Sequence, residues 1–200
     1  MNWPAAVTIC TLCLICPGPL AADESTYDWK AAAGSVAITP SEPVWMAGYA
    51  ARDKPSEGKI HDLHAKALIV EGADGTRIAI VTADLIGITR ELRSGVEDAV
   101  RRHGISPESL LINASHTHCG PELRGDRLVR FDIDSKYAAQ SRKSVRDVAA
   151  QIGELVGQTI DRLEPSRLVY SRARAGFAMN RRLPTENGFI NSPNPDGPVD

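Results

Sequence analysis

Two histidines, His116 and His118, follow a predicted strand in the segment Asn113-Ala-Ser-His-Thr-His-Cys-Gly-Pro121. On an extended chain a spacing of two turns both imidazoles to the same side. Loops at strand ends are where α/β proteins keep their sites, and imidazole is a good zinc ligand. A catalytic zinc takes about three protein ligands and a water. The pattern is therefore consistent with a metal site, and also with two ordinary histidines beside a turn.

Other side chains are weaker candidates for a chemical role. Cys119 is a candidate thiolate ligand or nucleophile, but on extended chain it points away from His118, which favours a small, inert filler. Asp84 ends an apolar strand and needs a partner there, either a histidine ring or a structural hydrogen-bond network. His61 and His64 lie three apart and should face opposite sides, which disfavours a shared metal.

The elements that must position these residues alternate between strand and helix. Asp74-Gly75 predicts a hairpin turn, and Thr89 is a suitable cap for the first helix. The predicted strands cover 34–39, 65–71, 76–83, 109–113 and 167–175; the predicted helices run from Thr89 to His103 and from 136 to 163; residues 115–134 form a long loop. We therefore predict an α/β fold with a mixed β-sheet flanked by helices. The final residues close no element, so we expect an incomplete domain.

Composition excludes several classes of protein. The chain has 200 residues, enough for one domain or slightly more, with 42% apolar and 24% charged residues. These values exclude wholesale disorder and a multi-span membrane protein. The net charge of −2 and an aromatic content of 5% argue against a nucleic-acid partner.

The N-terminus resembles a secretory leader. Residues 5–16 are apolar, a Pro-Gly-Pro breaker follows, and small residues precede a polar segment. We predict a signal peptide over residues 1–22, a mature segment over 23–200, and a secreted or periplasmic location. An uncleaved anchor is the alternative. Three of the four cysteines lie in the leader, so Cys119 has no partner for a disulfide within the mature segment.

Several segments together resemble the neutral (non-lysosomal) ceramidase family. They occur in the family's order over roughly residues 34–200, and the segment around His116 is the most specific. The segments are Ile38-Thr39-Pro40, Met46-Ala-Gly48-Tyr49 with Arg52, Gly58-Lys-Ile-His-Asp62-Leu-His-Ala-Lys-Ala67-Leu, Thr82-Ala-Asp84, Asn113–Pro121 and Asn180-Arg181-Arg182. The family's usual pattern has serine at the position of Cys119.

The resemblance implies a zinc amidohydrolase that cleaves the N-acyl bond of ceramide to sphingosine and a fatty acid. It implies that His116 is a zinc ligand, that His118 stabilises the oxyanion, and that Arg181 belongs to the same pocket. The family's other zinc ligands, a His, a Glu and a Tyr, come from sequence beyond residue 200. The expected partners are a ceramide-like lipid amide and, through it, a membrane surface in peripheral contact; the oligomeric state stays open.

Two other functions compete with this one. Another metal-dependent hydrolase is disfavoured because barrel amidohydrolases carry His-x-His after an early strand, whereas here at least three predicted strands precede it. A secreted domain that keeps the fold without a complete zinc site is the non-enzymatic alternative. The reading frame beyond residue 200 distinguishes the second alternative from an enzyme.

Overall fold

A computed structural model describes residues 28–199, so the predicted signal peptide over residues 1–22 lies outside the described residues. The chain divides between Arg167 and Leu168 into two compact units. In chain order the elements are β1 (Trp29–Ala37), β2 (His64–Gly72), β3 (Arg77–Ala83), α1 (Arg90–Arg101), a 3-10 turn (Pro107–Ser109), β4 (Leu110–Ala114), α2 (Gly125–Arg130), α3 (Ser135–Ile160), β5 (Glu164–Ser166), β6 (Asn180–Thr185) and β7 (Gly188–Asn194).

The first unit is built on a five-stranded mixed sheet in the order β4-β3-β2-β1-β5. The β1–β2, β2–β3 and β1–β5 pairs are antiparallel. Only the β3–β4 pair is parallel, and α1 provides the crossover between these two strands. The predicted α/β fold with a mixed sheet flanked by helices is confirmed.

Local sequence signals account for the hairpin and the first helix. Gly75 has φ 79° in the β2–β3 turn, a conformation that glycine adopts without steric cost. The Thr89 hydroxyl accepts a hydrogen bond from the backbone N–H of Leu92 at 3.1 Å and caps α1. Gly104, with φ 78°, follows the end of this helix as expected.

One face of the sheet is buried under α1 and α3. Alternate residues of β2 and β3 point into this core, because side chains in a strand alternate between faces. The core includes Ala65, Ala67, Ile69, Ala79 and Val81 from the sheet, with Leu92, Val96, Val145, Ile152 and Val156 from the helices. Small residues allow the two helices to approach closely, since a Cβ on Gly153 would lie 2.6 Å from that of Ala99.

The opposite face of the sheet carries apolar side chains that are exposed in the described part of the chain. Leu68, Ile78 and Leu111 are 40%, 47% and 51% exposed. No helix within residues 28–199 has the length and apolarity needed to cross a membrane.

One element prediction is wrong, one hairpin was not predicted, and the prediction of a long loop is incomplete. Residues 167–175 form no strand and are exposed. The apolar side chains that alternate along this segment do not pack against a buried surface. The β6–β7 hairpin of the second unit was not predicted, and its strands are largely exposed, so they show little alternation of burial. The long loop over residues 115–134 contains the short helix α2.

Candidate functional site

The candidate site begins where the parallel strands β3 and β4 end side by side. Ala83 and Ala114 are paired at the end of this ladder. Beyond it, the Ser115 N–H donates to the Ala83 carbonyl at 3.0 Å, and the Thr117 N–H donates to the Leu85 carbonyl at 3.0 Å. The chain that carries both histidines is therefore fixed against the end of β3. This is the edge of the sheet at which α/β proteins commonly bind ligands.

His116 and His118 lie close together, although the extended-chain argument for their proximity is wrong. His116 has φ 61°, in the left-handed region, and His118 lies in a turn. Their ring centroids are nevertheless 4.9 Å apart with the planes inclined at 63°. A left-handed residue outside glycine is uncommon and is often found at functional sites. The two rings converge because the backbone bends at His116.

The hydrogen bond of His116 defines which of its ring nitrogens is free. Its Nδ1 lies 2.9 Å from the Ile86 carbonyl oxygen. A carbonyl only accepts hydrogen bonds, so Nδ1 carries a proton, and in the neutral imidazole Nε2 then keeps its lone pair. A metal-binding histidine commonly donates its other ring N–H to a carbonyl in this way. The chemistry of His116 therefore fits a zinc ligand through Nε2.

Asp84 is a structural hub between three segments. Its carboxylate accepts from the His64 backbone N–H at 3.0 Å and from the Ser115 hydroxyl at 3.1 Å. Its own backbone N–H donates to the His64 carbonyl at 2.9 Å. Of the two roles considered for Asp84, these contacts support the structural one. Asp84 ties the start of β2 to the segment that carries His116.

Three residues that contact His118 were not predicted to have a function of their own. The Arg52 guanidinium donates to the His118 carbonyl through Nη2 at 2.6 Å. The Tyr49 ring meets the His118 ring edge-on, with centroids 4.9 Å apart. Gly48 has φ 109°, and a Cβ at this position would lie 2.6 Å from the Cβ of His118. Only the family resemblance singled out these residues, because contacts between distant segments leave no periodic signal in a sequence.

The segment that carries Gly48, Tyr49 and Arg52 is pinned to the histidine turn by backbone hydrogen bonds. The Ala47 N–H donates to the Gly120 carbonyl at 2.9 Å, and the Glu122 N–H donates to the Trp45 carbonyl at 2.8 Å. Between them, Met46 and Pro121 form an isolated antiparallel bridge. We call residues 45–52 the clamp loop.

An open cavity of about 1230 Å³ lies beside His118. It is lined by residues 39–44, Met46 and residues 56–63 together with Thr117, His118, Cys119 and Pro121. Cys119 is exposed and lines the same cavity as His118, so it does not fill space in the interior; its chemical inertness stays a prediction. The turn at His118 removes the strict alternation on which the expectation of a filler depended.

The charged residues that line the cavity come from residues 42–62 and not from the histidine turn. The Lys59 ammonium donates to the Asp62 carboxylate at 2.5 Å, and the Thr39 hydroxyl donates to the same oxygen at 2.8 Å. These two hydrogen bonds, chiefly that of Lys59, hold the pKa of Asp62 below its ordinary value. Asp62 is therefore a carboxylate at neutral pH and unsuited to act as a general acid.

The remaining histidine candidates do not assemble into a metal centre. His61 lines the cavity, whereas His64 begins β2 and bonds to Asp84 through its backbone. Within the described range, 28–199, no group of three or more His, Cys, Asp or Glu side chains is arranged to hold a metal ion.

Arg181 lies in the second unit, near the start of β6. Between the pairs Asn180–Asn194 and Arg182–Asn191, β7 has two residues where β6 has only Arg181, so the bulge lies on β7 opposite Arg181. The Asn180 side chain accepts from the Arg182 N–H at 2.8 Å and helps to fix this irregularity. Bulges commonly redirect a side chain, and Arg181 is exposed.

The first unit is thus an α/β domain with a histidine pair at the end of a parallel strand pair, beside an open cavity. Residues 30–193 match the family described as "Neutral/alkaline non-lysosomal ceramidase, N-terminal". The chain belongs to this family, and its relationship to ceramidases, which are hydrolases, is thereby established. No curated protein matches the chain.

Solved ceramidase structures share the fold. One, described as "Ceramidase complexed with C2", matches with a TM-score of 0.58 and 22% identity over 70% of this chain. A neutral ceramidase from Pseudomonas aeruginosa matches with a TM-score of 0.53 and 22% identity, also over 70% of this chain. The chain spans 22% of the length of each of these structures.

Proposed function

We propose that this chain contributes the first zinc ligand and the oxyanion-binding histidine of an amidohydrolase that cleaves the N-acyl bond of ceramide or a similar lipid amide. The observation that supports it most is the pairing of His116 and His118. His116 donates through Nδ1 to Ile86 and keeps Nε2 free, and the His118 ring lies 4.9 Å from it at the cavity. The relative described as complexed with C2 supports a lipid amide as the substrate.

His116 would hold the zinc through Nε2, with the remaining ligands outside this chain. Bound zinc supplies Lewis acidity, which makes water a nucleophile near neutral pH. An amide is a poor electrophile, so the site must also stabilise the negative oxygen that forms when water attacks the carbonyl. His118 donates a hydrogen bond to this oxygen, and one such donor contributes about 3 kcal/mol to the transition state.

Two further contributions complete the proposal. Arg181 binds polar groups of the substrate and orients the amide, in keeping with the resemblance. The leader over residues 1–22 supports secretion or a periplasmic location for residues 23–200, where the enzyme meets lipid in peripheral contact with a membrane.

Zinc content and ceramide hydrolysis test this function on two proteins. The first is the 200-residue chain, and the second is the extended chain, meaning this chain followed by the reading frame that continues after residue 200. We expect weak zinc binding and no hydrolysis in the first, because the resemblance assigns it one zinc ligand. We expect bound zinc and hydrolysis in the second.

Three results would contradict the proposal. Stoichiometric, tightly bound zinc in the 200-residue chain would show that other residues of this chain, such as His61, His64 or Cys119, complete the metal site. An extended chain that binds zinc and hydrolyses no lipid amide would show a different substrate. A stop codon directly after residue 200, together with no hydrolysis, would favour the secreted non-catalytic domain.

A further inference from the structure

Arg52 holds the backbone of the turn that carries His118. Its Nη2 donates to the His118 carbonyl at 2.6 Å and lies 3.6 Å from the Cys119 sulfur, while Nη1 lies 3.6 Å from the sulfur of Met46. A charged donor makes a stronger hydrogen bond to a carbonyl than a neutral donor does. One guanidinium therefore connects the clamp loop to both residues of the turn.

Tyr49 connects the same guanidinium to the imidazole of His118. The Arg52 guanidinium carbon lies 5.3 Å from the centroid of the Tyr49 ring, within the range of a cation–π contact. The Tyr49 ring in turn meets the His118 ring edge-on at 4.9 Å. Arg52 thus acts on His118 at two points, directly at the carbonyl and through Tyr49 at the ring.

The charge of Arg52 is not explained by pairing or by stability. Among residues 28–199, Arg52 takes part in no salt bridge, and its Nε is buried without a hydrogen-bond partner. A buried donor without a partner weakens folding. An arginine that serves only to stabilise the fold would not be expected with this unmet donor, whereas one that must fix the position of a neighbour would.

We infer that Arg52 is the positioning residue of His118, and that it sets both the backbone position and the ring orientation of this histidine. Its effect on turnover rests on the proposed function, in which His118 binds the oxyanion. Its effect on the geometry of His118 is independent of the proposed function. A misplacement of about 1 Å in a catalytic group is enough to lower turnover by about a hundredfold.

The geometric part is tested in the 200-residue chain by NMR with 13C-labelled histidine. The His118 ring signals are assigned by their loss in His118→Asn. In Arg52→Ala we expect these signals to shift and the nuclear Overhauser contact between the Tyr49 and His118 rings to disappear. The His116 signals should change much less, because Ile86 holds that ring independently.

The matched control is Arg127→Ala. Arg127 also lies over an aromatic ring, 5.4 Å from the centroid of Phe131, but it is in α2 and is a separate pair. We expect this variant to leave the His118 signals in place. A folded Arg52→Ala chain with unchanged His118 signals and an intact Tyr49–His118 contact would overturn the inference.

Turnover is tested in the extended chain. Arg52→Ala should lower kcat by about tenfold to a hundredfold, with KM and zinc content unchanged. Methylguanidinium added at millimolar concentration should restore part of kcat in this variant and none in Arg127→Ala. A folded Arg52→Ala enzyme with unchanged kcat, or with a lowered kcat that methylguanidinium does not restore, would overturn the inference. If the unmodified extended chain hydrolyses no lipid amide, the proposed function fails while the NMR contact still decides the positioning role.

Tyr49→Leu keeps the inference testable should Arg52→Ala not fold. Tyr49 is 61% exposed, so its replacement has little effect on the core. Removing this ring should shift the His118 ring signals and leave the Arg52 hydrogen bond to the carbonyl intact. Unchanged His118 ring signals would show that no positioning runs through Tyr49.

Discussion

Replacing Gly48 with alanine should damage the site through two separable effects. The backbone at Gly48 has φ 109°, which an L-residue adopts only under strain, at a cost of about 1–3 kcal/mol. The new methyl group would also lie 2.6 Å from the His118 Cβ and 2.7 Å from its Cα, so one segment must move. Overpacking of this kind costs a further 1–3 kcal/mol or so.

The resulting fall in the free energy of unfolding is about 4 kcal/mol, which corresponds to a fall in Tm of about 12 °C for a chain of this size. Thermal unfolding followed by far-ultraviolet circular dichroism measures it. In the NMR experiment on labelled histidine, the His118 signals should shift, because the methyl group pushes directly against this residue.

Alanine substitutions at two other glycines of the same unit distinguish the backbone strain from the steric overlap. Gly75 has φ 79° with nothing within 4 Å of an added Cβ, so Gly75→Ala carries strain alone and should lower Tm by about 4 °C. Gly58 has ordinary φ and open space, so Gly58→Ala should leave Tm unchanged or slightly raised. Equal losses in Gly48→Ala and Gly75→Ala, with unmoved His118 signals, would refute the close contact between Gly48 and His118.

Three other predictions follow from the site and the sheet. In the extended chain, Cys119→Ser should keep nearly full ceramide hydrolysis; a loss as large as that of His116→Ala would make the thiol a nucleophile or ligand. His116→Ala should lose zinc and activity together, whereas His118→Ala should keep zinc and lose roughly a hundredfold in turnover; equal zinc loss in metal analysis would make both histidines ligands. The hydrogen bond from Arg77 lowers the pKa of Glu71 below its ordinary value, so this stabilisation is present above that ordinary value and is lost as pH falls through the lowered one. Glu71→Gln should therefore flatten the acid side of the Tm–pH profile, and an unchanged profile would contradict the role of this pair.

Local signals predicted the parts of the fold that depend on local chemistry. The turn at Asp74-Gly75, the cap at Thr89 and the long apolar stripe of α3 each act within a few residues, and each element formed where expected. The wrong strand over 167–175 and the missed β6–β7 hairpin both lie where the chain is exposed. Periodicity reports burial against a partner surface, so it predicts poorly where burial is absent.

The sequence predicted which residues form the candidate site but not how they are arranged. The type and spacing of His116 and His118 indicated their chemistry, but their convergence depends on the left-handed backbone at His116. The role of Asp84 was left open between two possibilities because its partners, His64 and Ser115, come from different segments. The contacts of Arg52 with the histidine turn were not predictable, since no local pattern encodes them.

The clamp loop also bears on the order in which the protein folds. Arg52 and His118 are 66 residues apart in sequence, and three strands of the sheet and α1 lie between them. Closing so long a loop is entropically unfavourable until the intervening strands have paired, because chain entropy opposes distant contacts more than near ones. Residues 45–52 should therefore dock on the histidine turn late in refolding, after the hairpin and α1 have formed. The same contacts should be among the first lost on partial unfolding. The position of His118 should therefore be lost before the sheet unfolds.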